Sequence, residues 1–104
     1  MFEINGKNYE LKYNLKRIEM IENATGVPVM ADISKNRGLL SIASLKTYVA
    51  YGLKDQDTDT YVKIKEGIEM ADSLINSKEA GYSIVDGAVM EALERDCPFF
   101  FQNA

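Results

Sequence analysis

The chain has 104 residues, 46% of them hydrophobic and 27% charged, which is the composition of one soluble globular domain. Sixteen acidic residues against twelve basic ones give a net charge of −4, and no basic stripe is present, so nucleic acid is not an expected partner. The longest weakly charged stretch, residues 38–53, is too short and too polar to span a bilayer, and no signal peptide is expected.

The side chains that commonly carry catalysis are few. The sequence has no histidine, which removes the commonest general base and the commonest metal ligand. The single cysteine, Cys97, lacks its usual activating partner and excludes an internal disulfide. No glycine-rich phosphate-binding loop occurs. We therefore expect a non-enzymatic protein without cofactor or metal, in a reducing compartment.

The opening segment, MFEINGKNYELKY, predicts a β-hairpin because its side chains alternate about Asn5-Gly6. This dipeptide is the strongest short hairpin signal, since both turn residues need positive φ. A two-residue turn pairs Ile4 with Lys7. That register places five apolar residues on one face: Phe2, Ile4, Tyr9, Leu11 and Tyr13. A two-stranded ribbon is only marginally stable, so this face is expected to pack on helices or on another subunit.

Helical spacing follows the hairpin. The segment LKRIEMIENATG predicts a helix with Asn14 as its N-cap and Gly26 at its end. Within it, Leu15, Ile18 and Ile21 share the face that is expected to point inward. A shorter helix is expected to start at Pro28 and to end before Gly38.

Residues 39–53, LLSIASLKTYVAYGL, predict the most apolar helix of the chain. Ser41 is the expected cap, and Ile42, Leu45 and Val49 are expected to form the inward seam. The other faces carry alanine and tyrosine, so the helix is apolar nearly all round. Such a helix is either buried centrally or covered by another chain.

Two more helices are predicted in the second half of the chain. Residues 63–77 combine helical apolar spacing with a charged outer face, and Gly81 is expected to break that helix. Ser83-x-x-Asp86 is a capping-box pattern and predicts the start of the last helix, which should run to about Arg95. These elements predict an α+β fold, mainly α: an N-terminal β-hairpin followed by about four helices in one compact domain, residues 1–104.

The stretch DQDTDTYVKIKE, residues 55–66, has the carboxylate spacing of a calcium-binding EF-hand loop. Four acidic residues stand at ligand positions: Asp55, Asp57, Asp59 and Glu66. However, Thr60 stands where the sharp turn needs glycine, and Lys63 would place a cation beside the metal. We interpret the stretch as a solvated polar connector, and a calcium-responsive helical module remains an alternative.

The two ends of the chain resemble a known family. The segments FEINGKNYELKYNLKRIEMIE and MEALERDCPFFFQNA are similar to the tail assembly chaperones of long-tailed phages and prophages of Gram-positive bacteria. LLSIASLKTYVAYGL matches the apolar central helix of that family, and the dipeptide Gly81-Tyr82 precedes its last helix. The D-x-D-x-D stretch is not part of the family pattern.

The resemblance implies a small, largely helical, non-enzymatic protein that is made during virion assembly and is absent from the mature virion. Such chaperones assemble into rings or spirals and are thought to coat the tape-measure protein until tail-tube subunits polymerise around it. The expected partners are further copies of this chain, the tape-measure protein and, as a further candidate, the tail-tube protein. The expected location is the host bacterial cytoplasm.

Five aromatic residues are the candidate protein-interaction residues: Tyr48, Tyr51, Phe99, Phe100 and Phe101. Tyrosine joins apolar area to a hydrogen-bonding tip, which suits an interface and equally a small core. Three consecutive aromatic side chains cannot all point to one side of an extended segment, so at least one is expected to be exposed. The alternative is a tail folded back on its own core. A small acidic regulator of a host or phage protein remains a further alternative function.

Overall fold

The structure is a computed structural model that describes residues 2–101; Met1 and residues 102–104 lie outside it. The elements of the described chain are, in order, β1 (Phe2–Ile4), β2 (Lys7–Leu11), α1 (Leu15–Thr25), α2 (Val29–Lys35), α3 (Ile42–Gly52), β3 (Leu53–Asp55), β4 (Thr60–Tyr61), α4 (Ile64–Ile75), α5 (Gly81–Asp96) and a 3₁₀ turn (Pro98–Phe100). The strands form one antiparallel sheet in the order β1-β2-β3-β4. The predicted α+β fold, mainly α, is confirmed.

The N-terminal hairpin has the predicted register, with Ile4 opposite Lys7. Asn5 and Gly6 both have positive φ, 52° and 79°, as the tight turn between right-twisted strands requires. The predicted caps of two helices are confirmed as well. Asn14 accepts a hydrogen bond from the Arg17 N–H at 2.9 Å, and Ser41 accepts one from the Ser44 N–H at 3.1 Å.

A second hairpin, β3–β4, lies between α3 and α4, where the sequence predicts only a polar connector. β3 pairs with β2 and places Leu53, which is fully buried, opposite Leu11. β4 is fastened by Tyr61, whose hydroxyl donates to the Lys12 carbonyl at 3.0 Å and whose ring lies under the Arg17 guanidinium at 3.6 Å. All of these partners are distant in sequence, so local alternation over two or three residues does not predict the strands.

The apolar helix α3 lies at the centre of the molecule, where it packs against α1, α4 and α5. Leu45, Val49 and Ala50 on it are fully buried. Of the two alternatives for this helix, the structure has central burial within its own chain. Ile42, which is predicted on the inward seam, is the first residue of the helix and is 49% exposed.

The capping box predicted at Ser83-x-x-Asp86 is not formed, because α5 begins two residues earlier, at Gly81. Gly81 takes the left-handed conformation, with φ of 74°, and turns the chain directly into the helix. The Asp86 carboxylate instead accepts a hydrogen bond at 3.2 Å from the backbone N–H of Leu40, on the loop before α3. The Leu40 carbonyl also accepts a hydrogen bond from the Tyr82 hydroxyl. Asp86 therefore makes a tertiary hydrogen bond that holds the start of α3 against α5.

Two glycines in helices provide a matched test of how tightly α3 and α4 pack. A Cβ on Gly67 of α4 would lie 2.8 Å from the Ala50 Cα, which forces backbone to move, whereas a Cβ on Gly87 of α5 meets nothing within 4 Å. We expect Gly67→Ala to lower the free energy of unfolding by about 1–2 kcal/mol, because overpacking outweighs the gain in helix propensity. Gly87→Ala should raise it by about 0.5–1 kcal/mol. Urea unfolding followed by circular dichroism measures both, and a neutral or stabilising Gly67→Ala would contradict the close contact.

The buried carboxyl of Asp86 makes stability depend on pH. Burial raises its pKa in the folded protein, although the Leu40 N–H opposes this. A raised folded pKa favours the protonated form, so this contribution to stability is present below about pH 4 and is lost as pH rises through the folded pKa. Asp86→Asn keeps an oxygen acceptor for Leu40 and cannot ionise. We expect it to raise Tm at pH 7, with a smaller gain at pH 3.

Asp57→Asn is the matched control for this prediction. Asp57 is exposed in the turn between β3 and β4, and its replacement changes net charge by the same amount. Its Tm should stay close to that of the wild type at both pH values, because exposed substitutions change stability by only about 0.5 kcal/mol. A lower Tm for Asp86→Asn at pH 7 would mean that the ionised carboxylate stabilises the fold.

Candidate protein-interaction surface

The three phenylalanines follow α5 in a 3₁₀ turn. The helix stops at Asp96, two residues before Pro98, which cannot continue an α-helix, and the Phe100 N–H then donates to the Cys97 carbonyl at 3.0 Å. The next N–H, of Phe101, donates to the Pro98 carbonyl at 3.0 Å. Because successive residues of a 3₁₀ turn point about 120° apart, the three rings face different directions.

Phe99 and Phe101 are 43% and 45% exposed, whereas Phe100 packs against the core. The prediction that at least one of the three rings is exposed is therefore confirmed. The ring centroids of Phe99 and Phe100 lie 4.8 Å apart, and those of Phe100 and Phe101 lie 6.3 Å apart edge to face. Phe100 thus anchors a turn that presents its two neighbours to solvent.

A groove of about 290 Å³ separates this turn from α1. It is lined by Leu15, Ile18, Glu19, Glu22, Phe99 and Phe100. Leu15 is predicted to face inward with Ile18, but it is the first residue of α1 and is 67% exposed. We call Leu15 and Phe99 to Phe101 the aromatic-tail surface. Sequence reasoning missed Leu15 as a surface residue, because apolar periodicity shows which residues share a helix face. It does not show how much of that face the packed neighbouring elements cover.

The structure does not bring the two candidate tyrosines to this surface. Tyr48 is 0% exposed, and its hydroxyl donates to the Asp32 carboxylate at 3.0 Å. Burial, with Asp32 nearby, raises the pKa of Tyr48 well above its usual value, so the phenol stays protonated. Tyr48 is therefore a core residue and not a surface contact. Tyr51 is half-buried, packs against the same core and does not line the groove.

Cys97 also belongs to the core. It is fully buried between α5 and the 3₁₀ turn, and burial raises the pKa of its thiol to about 11. The thiol therefore stays protonated at neutral pH, and Cys97 packs as a small apolar residue beside the aromatic-tail surface.

The acidic stretch does not have the geometry of an EF-hand, because a β-hairpin replaces the loop between two helices. The Asp55 carboxylate accepts hydrogen bonds from the N–H groups of Asp57 and Thr58, at 2.9 and 3.3 Å. Asp59 forms an ion pair with Lys54 at 3.1 Å. Within residues 2–101, no three His, Cys, Asp or Glu side chains are arranged to hold a metal ion. These carboxylates shape and cap the turn.

Comparison with protein-family models, with curated proteins and with solved structures found no match. In the described part of the chain, no helix has both the length and the apolar character needed to cross a membrane. Among the candidate interaction residues, those that the structure exposes lie on the aromatic-tail surface, an exposed apolar patch beside a groove with two glutamates.

Proposed function

We propose that this protein is a non-enzymatic phage tail assembly chaperone that self-associates and keeps the tape-measure protein soluble during tail morphogenesis. The resemblance of both chain ends to that family supports the proposal. The observation that carries it is the exposure of Phe99 and Phe101 beside Leu15, since aromatic side chains of this kind anchor protein interfaces. Under the same proposal the protein acts in the host bacterial cytoplasm and is absent from the mature virion.

The size of the aromatic-tail surface indicates weak individual contacts. Fully burying one phenylalanine or leucine is worth about 1.5–3 kcal/mol, but Phe99 and Phe101 are already more than half buried and Leu15 is already about one third buried. Covering the exposed parts of Leu15, Phe99 and Phe101 therefore contributes on the order of 3 kcal/mol to the binding free energy. A complex with a millimolar Kd needs roughly 4 kcal/mol. A stable assembly consequently needs many subunits along one client, and weak contacts allow their later release.

The groove also favours a particular client chemistry. A helix that lays an apolar stripe into a groove is a common recognition mode, and the tape-measure protein is expected to be helical over long segments. The groove carries Glu19 and Glu22, and Glu22 is partly occupied by a hydrogen bond from the Val29 N–H at 2.9 Å. Glu19 is exposed, so lysine or arginine flanking the apolar stripe of the client would be attracted to it.

The alternative functions have less support. A calcium-responsive module needs the acidic stretch to surround an ion, and Asp55 and Asp59 already bond within the hairpin. No specific contact favours a regulator of another protein, but that function shares an exposed interaction surface with the chaperone. Solubilisation of a tape-measure fragment separates the two.

Replacing the exposed phenylalanines should abolish the proposed activity without unfolding the chain. We expect Phe99→Asp combined with Phe101→Asp to reduce the soluble fraction of a co-expressed tape-measure fragment several-fold, because charge in place of apolar area removes the contact. Leu39→Asp is the matched control, since Leu39 is also exposed but lies outside the groove. Both variants should keep the wild-type circular dichroism spectrum. An unchanged soluble fraction with the double variant would contradict the role of the aromatic-tail surface.

Self-association is measured by size-exclusion chromatography with light scattering on the purified chain. We expect the mean mass to rise with protein concentration and to be the same in EDTA and in millimolar calcium. A strict monomer in both buffers would contradict self-assembly and favour the regulator. An assembly that appears only with calcium would overturn the interpretation of residues 55–66.

A further inference from the structure

A larger groove lies between β1 and the helices α4 and α5, and it shares no residue with the aromatic-tail surface. Its volume is about 520 Å³. The apolar residues that line it are Phe2, Ile4, Leu74, Ala80 and Ile84. Ile84 is 58% exposed, as much as any large apolar residue described except Leu15. The groove therefore offers uncovered apolar area beside a strand.

The strand beside this groove is the edge of the sheet, because β1 pairs only with β2 in the described chain. Ile4 and Lys7 flank the two-residue turn and therefore form a hydrogen-bonded pair. The next pair along the strands, Glu3 and Asn8, is a non-hydrogen-bonded pair. Accordingly, the Asn8 carbonyl points away from β1 and accepts from the Gln56 N–H at 3.0 Å. By the same alternation, the N–H and C=O of Glu3 point outward from the sheet edge.

The rim of the groove is acidic. Glu3 and Glu79 line it, and Glu66 and Glu69 line an adjoining depression next to Ile4. No lysine or arginine lines either surface in the part of the chain described here. None of these glutamates forms an ion pair within residues 2–101. The negative electrostatic potential at this edge of the sheet therefore favours a cationic partner and disfavours an anionic one.

We propose that the β1 edge and its groove bind an extended, cationic segment of another protein as a fifth strand of the sheet. Its backbone would bond to the N–H and C=O of Glu3, its alternate apolar side chains would enter the groove, and its lysine or arginine residues would lie near the glutamates. A second copy of this chain fits poorly, because antiparallel pairing of two β1 strands centred on Glu3 places like charges opposite each other. The site is independent of the proposed function.

The test is a selection of random 12-residue peptides displayed on phage against the purified chain. We expect the selected peptides to alternate apolar and polar residues, with lysine or arginine among the polar ones. As synthetic peptides they should bind Glu3→Pro at least tenfold more weakly than the wild type. Proline removes the outward N–H of an edge position and leaves the pairing with β2 intact. Glu3→Thr keeps the N–H and should lose only a few-fold in affinity.

A second pair of variants decides the matter if Glu3→Pro disturbs the hairpin. Ile84 lines the groove and Leu39 does not, and both are 58% exposed. Ile84→Asn should weaken peptide binding at least fivefold, because it removes apolar contact without adding a negative charge that would attract the cationic peptide, whereas Leu39→Asn and Phe99→Asp should leave binding unchanged. Selection of no peptides, selection of acidic ones, or equal binding to Ile84→Asn and the wild type would overturn the proposal. Loss of binding with Phe99→Asp would move the site to the aromatic-tail surface and would also overturn it.

Discussion

The buried hydrogen bond from the Tyr13 hydroxyl to the Tyr48 carbonyl, at 2.8 Å, joins the segment between β2 and α1 to the central helix. The Tyr13 ring fills the space beside Gly52, where any Cβ would lie 2.5 Å from the ring. The Tyr13 N–H donates in turn to the Asp96 carboxylate at 2.9 Å, which ties the end of α5 to the same point. Replacing this tyrosine would therefore loosen the packing on the central helix, because the Tyr48 carbonyl would lose a buried partner and the missing ring would leave a cavity beside Gly52. The bond to Asp96 would remain, since the backbone N–H donates it.

Both candidate surfaces depend on this arrangement. Asp96 is the last residue of α5, so its bond to Tyr13 fixes where the chain enters the 3₁₀ turn and leaves Phe99 beside α1. At the other surface, β2 holds β1 over α4 and α5, so the strand edge and the groove beside it occur together. The two surfaces differ in character. One presents aromatic rings, and the other presents a strand edge among carboxylates, so they suit different partners or different parts of one partner.

Much of the local structure was predictable because the responsible interactions are close in sequence. Asn5-Gly6 sets the first turn, and Asn14 and Ser41 bond to N–H groups three residues ahead. The β3–β4 hairpin was not predictable, since its stability comes from pairing with β2. Asp86 illustrates the same limit: its spacing from Ser83 indicates a cap, but its carboxylate binds Leu40, 46 residues away, and the competing tertiary bond decides the outcome.

For the candidate interaction residues, the sequence by itself determined that three consecutive rings after Pro98 cannot all be buried, because a short segment cannot turn every side chain to one side. It also determined that α3 needs cover on nearly all faces. Only the tertiary structure decided that this cover comes from the same chain, that Tyr48 lies inside, and that Leu15 lies outside at the end of its helix. Periodicity indicates which residues share a face, but whether that face is covered depends on where distant elements begin and end.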